Sequence, residues 1–461
     1  MTNKKRTEFD TLGSKLIDKN RHWGAQTQRS IENFQIGEEK MPIEIIRSIG
    51  LQKKAAAQAN LYFKIIDQKI GKAIIKTCDQ IINLKLKDEF PISVWQTGSG
   101  THTNMNANEV ISNYSIKILK GKIGTKHPVH PNDHVNLSQS SNDTFPTVMH
   151  IAINELTEEK LLPSLKNLIN EIRKKSIKYK SIIKIGRTHL QDATPLTLGQ
   201  EFSGYLNQIS NCLKRIQIAK KELNLVAQGG TAVGTGINSP KNFDTKFCNF
   251  LNKMTINNYK PSPNKFESIA SHDALLNFSS SLNNLSTAVY KIINDIRFLA
   301  SGPRAGLAEI NLPANEPGSS IMPGKINPTQ IEALAMVCCQ VFGNNHSVHF
   351  AGSQGHFELN TYKPIIAYNI IQSINLLSNG INSFNKNCLK KIKPNMKNIE
   401  KNLKSSLMLV TALNQHIGYD NAAKIAKKAF NENLTLKQAA IKLNLVDEKM
   451  FDKLINPKKM I

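Results

Sequence analysis

Apolar residues along this chain recur mainly at intervals of three and four positions, the spacing that places them on one face of an α-helix. The stretch 205–228 contains no Gly or Pro, and Ile209, Cys212 and Ile216 form such a stripe within it. The stretch 273–301 repeats the pattern. Each stretch predicts a helix of about 25 residues, roughly 37 Å long.

Further helical stretches surround these two, and the period-two patterns typical of strands are few and short. One helix is predicted from about residue 142 to beyond residue 153, and Pro163 opens another that reaches about Tyr179. A third is predicted over 364–379. Helices of this length and number favour an all-α fold built around a long central bundle.

Segments rich in Gly, Pro, Ser and Thr separate the long helices, and polar loops at the ends of rigid helices are where chemistry usually lies. The chain after Pro394 differs, because its helical stretches are shorter and it has no such segment. We therefore expect three domains. They are an N-terminal domain over 1–141, a central long-helix bundle with the catalytic loops over 142–393, and a small C-terminal helical domain over 394–461.

The composition is strongly basic. Its 461 residues include 60 Lys and Arg against 35 Asp and Glu, which gives a formal net charge of +25. Such a charge is compatible with nucleic-acid binding, but the lysines are spread along the whole chain and form no block of five or more. A solvated basic surface is the simpler interpretation, and we expect no nucleic-acid partner. This surface would attract anions, including dicarboxylates.

No apolar run reaches the ~18–20 residues that a membrane span requires, and no apolar stretch follows the cationic start MTNKKRTEFD. The six cysteines show no CxxC pair, which is typical of reduced thiols. We expect a cytoplasmic protein with no secretory signal and no membrane partner.

The segment GSSIMPGKINP, residues 318–328, carries the most chemistry. Its two glycines and two prolines exclude regular structure, and a loop with free backbone N–H groups and a lysine suits a carboxylate ligand. A serine can act as a base there if N–H donors or cations stabilise its alkoxide. An ordinary polar turn is the alternative. The candidate side chains are Ser319, Ser320, Lys325 and Asn327, with Glu332 shortly after them.

A second polar segment, TGSGTHTNMNANE at 97–109, places Ser99, Gly100 and Thr101 directly before a helical stretch. Hydroxyl groups and free N–H groups at the start of a helix can bind an anion. A plain helix cap has the same composition, so the sequence leaves both interpretations open.

The segment HPNDHVN, residues 130–136, has His130 and His134 four positions apart. Pro131 argues against a helix that would align the two rings, and no third ligand is evident, so we expect no metal site. The polar residues that follow could bind a carboxylate or cap the next helix. These residues are Ser140, Ser141 and Asn142.

Thr188 and His189 lie in the polar loop GRTHLQDATP, residues 186–195. An isolated histidine is usually structural, but imidazole is also the usual acid–base group near neutral pH. The glycine-rich segment GGTAVGTG at 229–236 is only superficially like a phosphate loop, because it lacks the Lys-Ser/Thr ending and follows a helix. We expect no nucleotide site there.

Together these segments resemble the fumarase/aspartase superfamily, whose signature is similar to GSSIMPGKINP. The resemblance runs from WGAQT near the N-terminus to GHFELN, which is nearly the whole chain. Within the superfamily the chain is most similar to class II fumarases. Aspartases tend to have Ala, Asn, Thr and Ala where this chain has Ser99, His130, Ser141 and Gly324, respectively.

The resemblance implies an all-α fold whose central bundle forms a 20-helix core in a homotetramer, with active sites shared between subunits. It implies the reversible reaction of (S)-malate to fumarate and water in the citric acid cycle, by anti elimination through an aci-carboxylate carbanion. The implied partners are a small dicarboxylate (malate or fumarate) and further copies of the chain. No metal and no organic cofactor is implied.

The resemblance also implies roles for the candidate residues. Ser319 would remove the C3 proton of malate, and His189, paired with Glu332, would hold the water or protonate the departing hydroxyl. The residues implied to bind substrate are Ser99, Gly100, Thr101, Ser140, Ser141, Asn142, Thr188, Ser320, Lys325 and Asn327. The residues that match a second, non-catalytic anion site are His130, Pro131, Asn132 and Asp133.

Three positions depart from the family pattern. His102 stands where many relatives carry Gln, Leu137 replaces a frequent Lys, and Ala305 replaces a common Cys. The first bears most directly on the choice of substrate. Two alternative functions stay open at this point: an aspartate ammonia-lyase of the same superfamily, and a non-enzymatic basic protein that binds nucleic acid.

Overall fold

The structure, a computed structural model of the single chain, describes residues 5–461. Helices dominate it, as the apolar spacing predicts. In chain order they are α1 Ala25–Asn33, α2 Ile43–Tyr62, α3 Gln68–Ile82, α4 Thr101–Ile118, α5 Ser141–Leu156, α6 Leu162–Lys178, α7 Leu198–Glu222, α8 Phe243–Asn252, α9 Lys265–Ala270, α10 Asp273–Leu299, α11 Thr329–Gly352, α12 Lys363–Asn387, α13 Met396–Ser405, α14 Asn414–Ile417, α15 Tyr419–Asn431, α16 Leu436–Lys442 and α17 Glu448–Leu454.

Strands are few and short in the described part of the chain, and they pair only in twos. In chain order they are β1 Lys5–Asp10, β2 Gly13–Asp18, β3 Ile183–Thr188, β4 Gln191–Thr197, β5 Leu225–Val226, β6 Lys260–Pro261, β7 Ile310–Asn311 and β8 Lys393–Pro394. Each odd-numbered strand pairs with the strand that follows it. The β5–β6 pair is parallel, and the other three are antiparallel.

The long helices lie close to their predicted positions. Helix α10 begins at Asp273 as expected and ends near the predicted boundary. Helix α7 begins earlier than the glycine-free stretch suggests, because it runs through Gly199 and Gly204. A Cβ at position 199 would lie 2.5 Å from the carbonyl oxygen of Ser176. Glycine at this position therefore permits close packing and does not interrupt the helix.

Helix α12 was only partly anticipated, and helix α11 was not predicted. Helix α12 extends to Asn387, beyond the predicted end near residue 379. Helix α11 has apolar residues around its circumference, so no single stripe marks it in the sequence. Much of this apolar surface is exposed in the single chain, since Met336 is 69% and Phe350 is 60% exposed.

The residue contacts divide the chain into two compact units, and α7, α10, α11 and α12 each contribute residues to both. The first unit extends up to Pro163 and includes 213–286 and 338–378. The second unit consists of 164–212, 287–337 and 379–461.

In the first unit, small residues of α2 accommodate large residues of α8. Ala55 and Ala59 are completely buried, and so are Phe247 and Leu251 of α8. Short side chains on one helix leave room for aromatic rings on its neighbour, and such close packing is what makes burial effective. The first segments of the chain therefore pack onto α8, which lies more than a hundred residues later.

In the second unit, the last fifty residues form a small apolar cluster of their own. Leu413, Ile425 and Ala439 are completely buried there, and Phe451 of α17 belongs to the same cluster. No helix among residues 5–461 is both long enough and apolar enough to cross a membrane.

Candidate active site

Three hydroxyl groups come together where α4 and α5 begin. Ser99 Oγ lies 2.6 Å from Thr101 Oγ1, which lies 2.8 Å from Ser141 Oγ. Gly100 has a φ of +77°, and a Cβ at this position would lie 2.3 Å from the ring of Phe145. Only glycine therefore allows this turn to approach α5 so closely. The structure thus brings these predicted site residues into one cluster.

The start of α5 has the capping role that the sequence left open. The Ser140 side chain accepts a hydrogen bond from the backbone of Asn142, and the Asp143 carboxylate accepts one from the Ser140 N–H at 2.9 Å. Together they form a capping box. Asn142 Nδ2 also donates to the carbonyl oxygen of Ala232 at 2.8 Å. Capping occupies Ser140, while the Ser141 hydroxyl belongs to the cluster described above.

Asp143 is a residue whose importance the sequence analysis missed. It is completely buried, and its Oδ2 accepts hydrogen bonds from Gln228 Nε2 at 3.0 Å and from the backbone N–H groups of Gly229 and Thr231 at 2.9 and 3.0 Å. Burial raises the pKa of Asp143 to about 6, although the backbone donors act in the opposite direction. The carboxylate thereby joins the start of α5 to the 229–236 loop. The S-x-x-D spacing of a capping box is the sequence signal that could have found it.

Lys53 is buried beneath the same segment. Its Nζ donates to Asn136 Oδ1 and to Gln139 Oε1, both at 3.0 Å. Two asparagines of α4 donate to the same Asn136 oxygen. Burial lowers the pKa of Lys53 to about 7, and the charge of Asp143 opposes that shift. This polar network supports the chain between the two predicted anion-binding segments.

The HPND segment is held by its own histidines. His130 Nδ1 accepts hydrogen bonds from the backbone N–H groups of Asn132 and Asp133 at 3.2 and 3.1 Å. His134 Nδ1 accepts from the N–H of His130 at 2.8 Å. The intervening Pro131 opens a π-helical turn. Among residues 5–461, no group of three or more His, Cys, Asp or Glu side chains is placed to hold a metal ion.

Thr188 and His189 stand at the tip of the β3–β4 hairpin. Thr188 pairs with Gln191, which leaves His189 and Leu190 as a two-residue turn with φ values of +57° and +60°. Such turns match the twist of the strands but favour Asn or Gly. Any other residue in the left-handed backbone region costs roughly 1–2 kcal/mol. The Thr188 and His189 side chains are exposed at the edge of an open cleft of about 1060 Å³.

The GSSIMPGKINP loop folds back on itself around Ser319. The Ser319 Oγ accepts hydrogen bonds from the backbone N–H groups of Ile321 at 3.3 Å and Met322 at 3.0 Å. At the base of the loop, a Cβ on Gly318 would lie 2.0 Å from the carbonyl oxygen of Lys325, so only glycine fits. The loop therefore presents a serine oxygen to which two backbone donors already point.

The remaining predicted residues of this region are on the surface of the single chain. Asn327 Nδ2 donates to the carbonyl oxygen of Gly318, whereas the side chains of Ser320 and Lys325 are exposed. Glu332 is exposed in the first turn of α11. In the part of the chain that the structure describes, no hydrogen bond or ion pair joins His189 to Glu332. Their pairing stays a prediction.

His102, the departure that bears on substrate choice, has partners of its own. Its Nδ1 lies 3.0 Å from Ser30 Oγ, and its ring meets Phe34 edge-on at 5.0 Å between centroids. Burial lowers the pKa of His102, which favours the neutral imidazole. The side chain is therefore engaged by α1 and the residue that follows it.

We predict that Asp143→Ala lowers the free energy of unfolding by about 3–5 kcal/mol, the range for removing one partner from a buried charged network. The physical reason is that four N–H donors, three from the backbone and one from the Gln228 side chain, lose their acceptor. Urea unfolding followed by circular dichroism measures the change. Asp133→Ala is the matched control, because it removes a carboxylate with 74% side-chain exposure from a neighbouring turn and should change stability by less than about 1 kcal/mol. Equal losses in the two variants would contradict the role given to Asp143.

Comparison with known proteins bears directly on this arrangement. The family model described as lyase matches residues 15–343, and the one described as fumarase C C-terminus matches residues 409–461. The class II fumarate hydratase of Rickettsia bellii is 58% identical over 456 residues, covering 99% of this chain and 98% of the relative. That of Brucella suis is 54% identical over the same length, again with 99% and 98% coverage.

A solved structure agrees with the sequence relatives. The class II fumarase of Schistosoma mansoni is 43% identical, covers 99% of both chains and superposes with a TM-score of 0.97. This likeness confirms the all-α fold, and the relatives confirm the resemblance drawn from the loop motifs. None of the relatives named here is an ammonia-lyase or a nucleic-acid-binding protein. The chain belongs to the class II fumarate hydratase family of lyases.

Proposed function

We propose that this chain is a fumarate hydratase that interconverts (S)-malate with fumarate and water, with Ser319 as the catalytic base. The observation that carries the proposal is the pair of backbone N–H groups, from Ile321 and Met322, that donate to Ser319 Oγ. Hydrogen bonds to the charged form of a group favour that form, so these donors support an alkoxide at Ser319. Lys325 in the same loop adds a cation.

The reaction begins with removal of a proton from C3 of malate by the Ser319 alkoxide. The electron pair moves into the adjacent carboxylate and forms an aci-carboxylate dianion. Lys325, Asn327 and Ser320 bind this carboxylate, and their charge and donors act most strongly when the second negative charge develops. The C2–O bond then breaks on the opposite face, and the hydroxyl leaves as water with a proton from His189. Fumarate remains.

His189 suits the second proton transfer because it is an imidazole at an exposed hairpin tip, with no hydrogen-bond partner among residues 5–461. In the proposal Glu332 pairs with it and orients the ring, and Thr188 contacts the substrate from the same turn. No step of this scheme calls for a metal ion or an organic cofactor.

The other end of the dicarboxylate is assigned to the hydroxyl cluster. Ser99 and Ser141 each lie within hydrogen-bond distance of Thr101 Oγ1 at the starts of α4 and α5, and Gly100 separates Ser99 from Thr101. Helix N-termini and hydroxyl groups favour anions, which supports a carboxylate subsite there. Ser140 and Asn142 are assigned to this subsite as well, next to their roles in capping α5 and in binding the Ala232 carbonyl oxygen. The basic surface, with a net charge of +25, assists the approach of a dianion.

A second anion site is proposed at the HPND segment, outside the catalytic steps. The residues concerned are His130, Pro131, Asn132 and Asp133. The backbone N–H groups of Asn132 and Asp133 now donate to His130 Nδ1. Rotation of that ring would release two donors for an anion, which supports a binding role.

We further propose a homotetramer whose central bundles form a 20-helix core. Support comes from α11, where Met336 and Phe350 are exposed although the helix is apolar around its circumference. Large exposed apolar surface indicates an interface. In this assembly each active site takes residues from different subunits.

The proposed organisation of the chain keeps the three segments 1–141, 142–393 and 394–461, with the protein in the cytoplasm. The last segment is supported as a unit by its own apolar cluster, in which Leu413 and Ile425 are completely buried. The hydroxyl cluster begins in the first segment, and the Ser319 loop lies in the second.

Ser319→Ala is expected to lower kcat for malate dehydration by at least ~10², a typical size for losing a proton-transfer group. Absorbance of the fumarate formed measures the rate. Ser406→Ala is the matched control, because Ser406 Oγ also accepts a backbone N–H, from Met408 at 3.2 Å, but far along the chain. Near wild-type turnover in Ser319→Ala would remove this serine from the role of base.

Two inactive variants should complement each other if the sites are shared. In the proposal Ser319 and His189 of one site come from different chains, so unfolding and refolding Ser319→Ala with His189→Asn gives mixed tetramers. With random mixing, about a quarter of the sites regain both residues, by the symmetry of a closed oligomer. Activity recovered near that fraction is expected. Verified mixed tetramers with no recovered activity would place both residues on one chain.

A further inference from the structure

A buried carboxylate lies beneath the hairpin that carries Thr188 and His189. Glu309 has no solvent exposure, and Arg187 grips it with two hydrogen bonds, from Nη1 at 3.1 Å and Nη2 at 2.7 Å. Lys184 Nζ lies 3.3 Å from the same carboxylate. Arg187 directly precedes Thr188, the last residue of β3 before the turn. This fork therefore fixes the last inward-pointing side chain of the strand.

The strand is irregular where these contacts form. Side chains alternate along a strand, so Lys184 and Arg187, three residues apart, would face opposite sides of a regular β3. The ladder register instead shifts between Ile185 and Arg187, with the additional residue on β4. A Cβ on Gly186 at the shift would lie 2.6 Å from the carbonyl oxygen of Thr194. Bulges increase the local twist of the paired strands, and at this one both Lys184 and Arg187 of β3 reach one carboxylate.

The C-terminal segment reaches Glu309 from another direction. Asn402 Nδ2 of α13 donates to Glu309 Oε1 at 3.0 Å, and the backbone N–H of Asn395 donates to the Glu309 carbonyl oxygen at 2.8 Å. Burial alone would raise the pKa of Glu309, but the hydrogen bonds from Arg187 and the charge of Lys184 hold it below its ordinary value. The carboxylate is therefore ionised, and both of its oxygens accept hydrogen bonds.

The tip itself is a turn of unfavourable backbone conformation. His189 and Leu190 both have φ values in the left-handed region, and Leu190 is 68% exposed. A turn in this conformation persists only where surrounding structure determines it. The ladder pair of Thr188 with Gln191 closes the turn, and the fork between Arg187 and Glu309 anchors the strand residue directly before that pair.

We infer that Glu309 is a positioning residue: through Arg187 it holds the strained turn that presents Thr188 and His189, and through Asn402 it makes the C-terminal segment part of that support. The expected effect on turnover rests on the proposed function. The expected effect on the conformation of the turn does not depend on it. The inference gives the C-terminal segment a part in catalysis through its hydrogen bond to Glu309.

Glu309→Gln and Asn402→Ala test the inference, with Asn382→Ala as the matched control. Asn382 Nδ2 donates to Ser164 Oγ at 2.8 Å, so the control also loses one partly buried amide hydrogen bond. We expect Glu309→Gln to lower kcat for malate about 10–10²-fold, the scale on which misplacement of a reacting group acts. KM should change less than about threefold, because ground-state binding is retained. Asn402→Ala should lower kcat by roughly threefold to tenfold, and the control by less than about twofold.

Hydrogen–deuterium exchange of peptides covering 184–197 provides the readout that does not depend on activity. Exchange at the tip should be at least about tenfold faster in Glu309→Gln, faster to a lesser degree in Asn402→Ala, and unchanged in the control. The double variant Arg187→Gln with Glu309→Gln should lose no more turnover than the worse single variant, because the two act as one unit.

The outcomes separate the two proposals. Unchanged exchange at the tip, with only a lower unfolding temperature, would overturn the inference and leave the hydratase function intact. If the fold losses in turnover of the two single variants multiply in the double variant, the inference is also overturned. If the wild type fails to convert malate, the proposed function fails, and exchange alone decides whether Glu309 holds the turn. If Glu309→Gln does not fold, Asn402→Ala decides, since it leaves the buried charges paired.

Discussion

A buried carboxylate needs several donors around it, and this requirement organises the parts of the molecule that carry chemistry. Asp143 gathers donors from the 228–231 segment beneath the hydroxyl cluster, and Glu309 gathers them beneath the His189 hairpin. A third carboxylate, Glu109, accepts four hydrogen bonds from Gly24, Gln26 and Thr27. Each joins segments that are distant in sequence. Removing such a group leaves donors unpaired in a water-free interior, so each junction is sharply defined.

The reactive groups themselves lie outside this buried layer, since His189 and Lys325 are exposed and Ser319 is half-buried. Ser319 is held by its own loop, where Gly318 permits a close return of the backbone and two N–H groups point at the hydroxyl. His189 stands on a turn in which its own φ and that of Leu190 are both positive. This division between buried support and exposed reactive groups suits a reaction in which two proton transfers occur on opposite faces of a small substrate. Preorganised donors act on charge as it develops and need no rearrangement.

Much of the fold could be predicted from the sequence because helical periodicity is a local property. The stretch 273–301 has one clear apolar stripe, and the helix follows it closely. Helix α7 begins earlier than predicted. The sequence alone does not distinguish a glycine that permits close packing from one that ends a helix. Helix α4 begins at Thr101, where the polar segment 97–109 was expected to lead directly into a helix. Apolar α11 offers no stripe, because both its chain-facing and its exposed sides are apolar.

The candidate site could be predicted only in part. Hydroxyls and glycines cluster locally, so the loops around Ser99, Ser141 and Ser319 were found from composition and motif. Asp143, Arg187 and Glu309 were missed, because their importance comes from partners far away in sequence and no local pattern records such pairs. The His189–Glu332 pair was implied by resemblance, and a single chain does not bring it together.

The most direct test of the account is a comparison of substrates with the purified wild-type protein. Fumarate formation is followed by absorbance from malate and from aspartate, each before and after prolonged treatment with a chelator. The account predicts rapid conversion of malate that the chelator does not change, and no conversion of aspartate. Conversion of aspartate in place of malate, or activity that is lost with the chelator and restored by a metal ion, would contradict it.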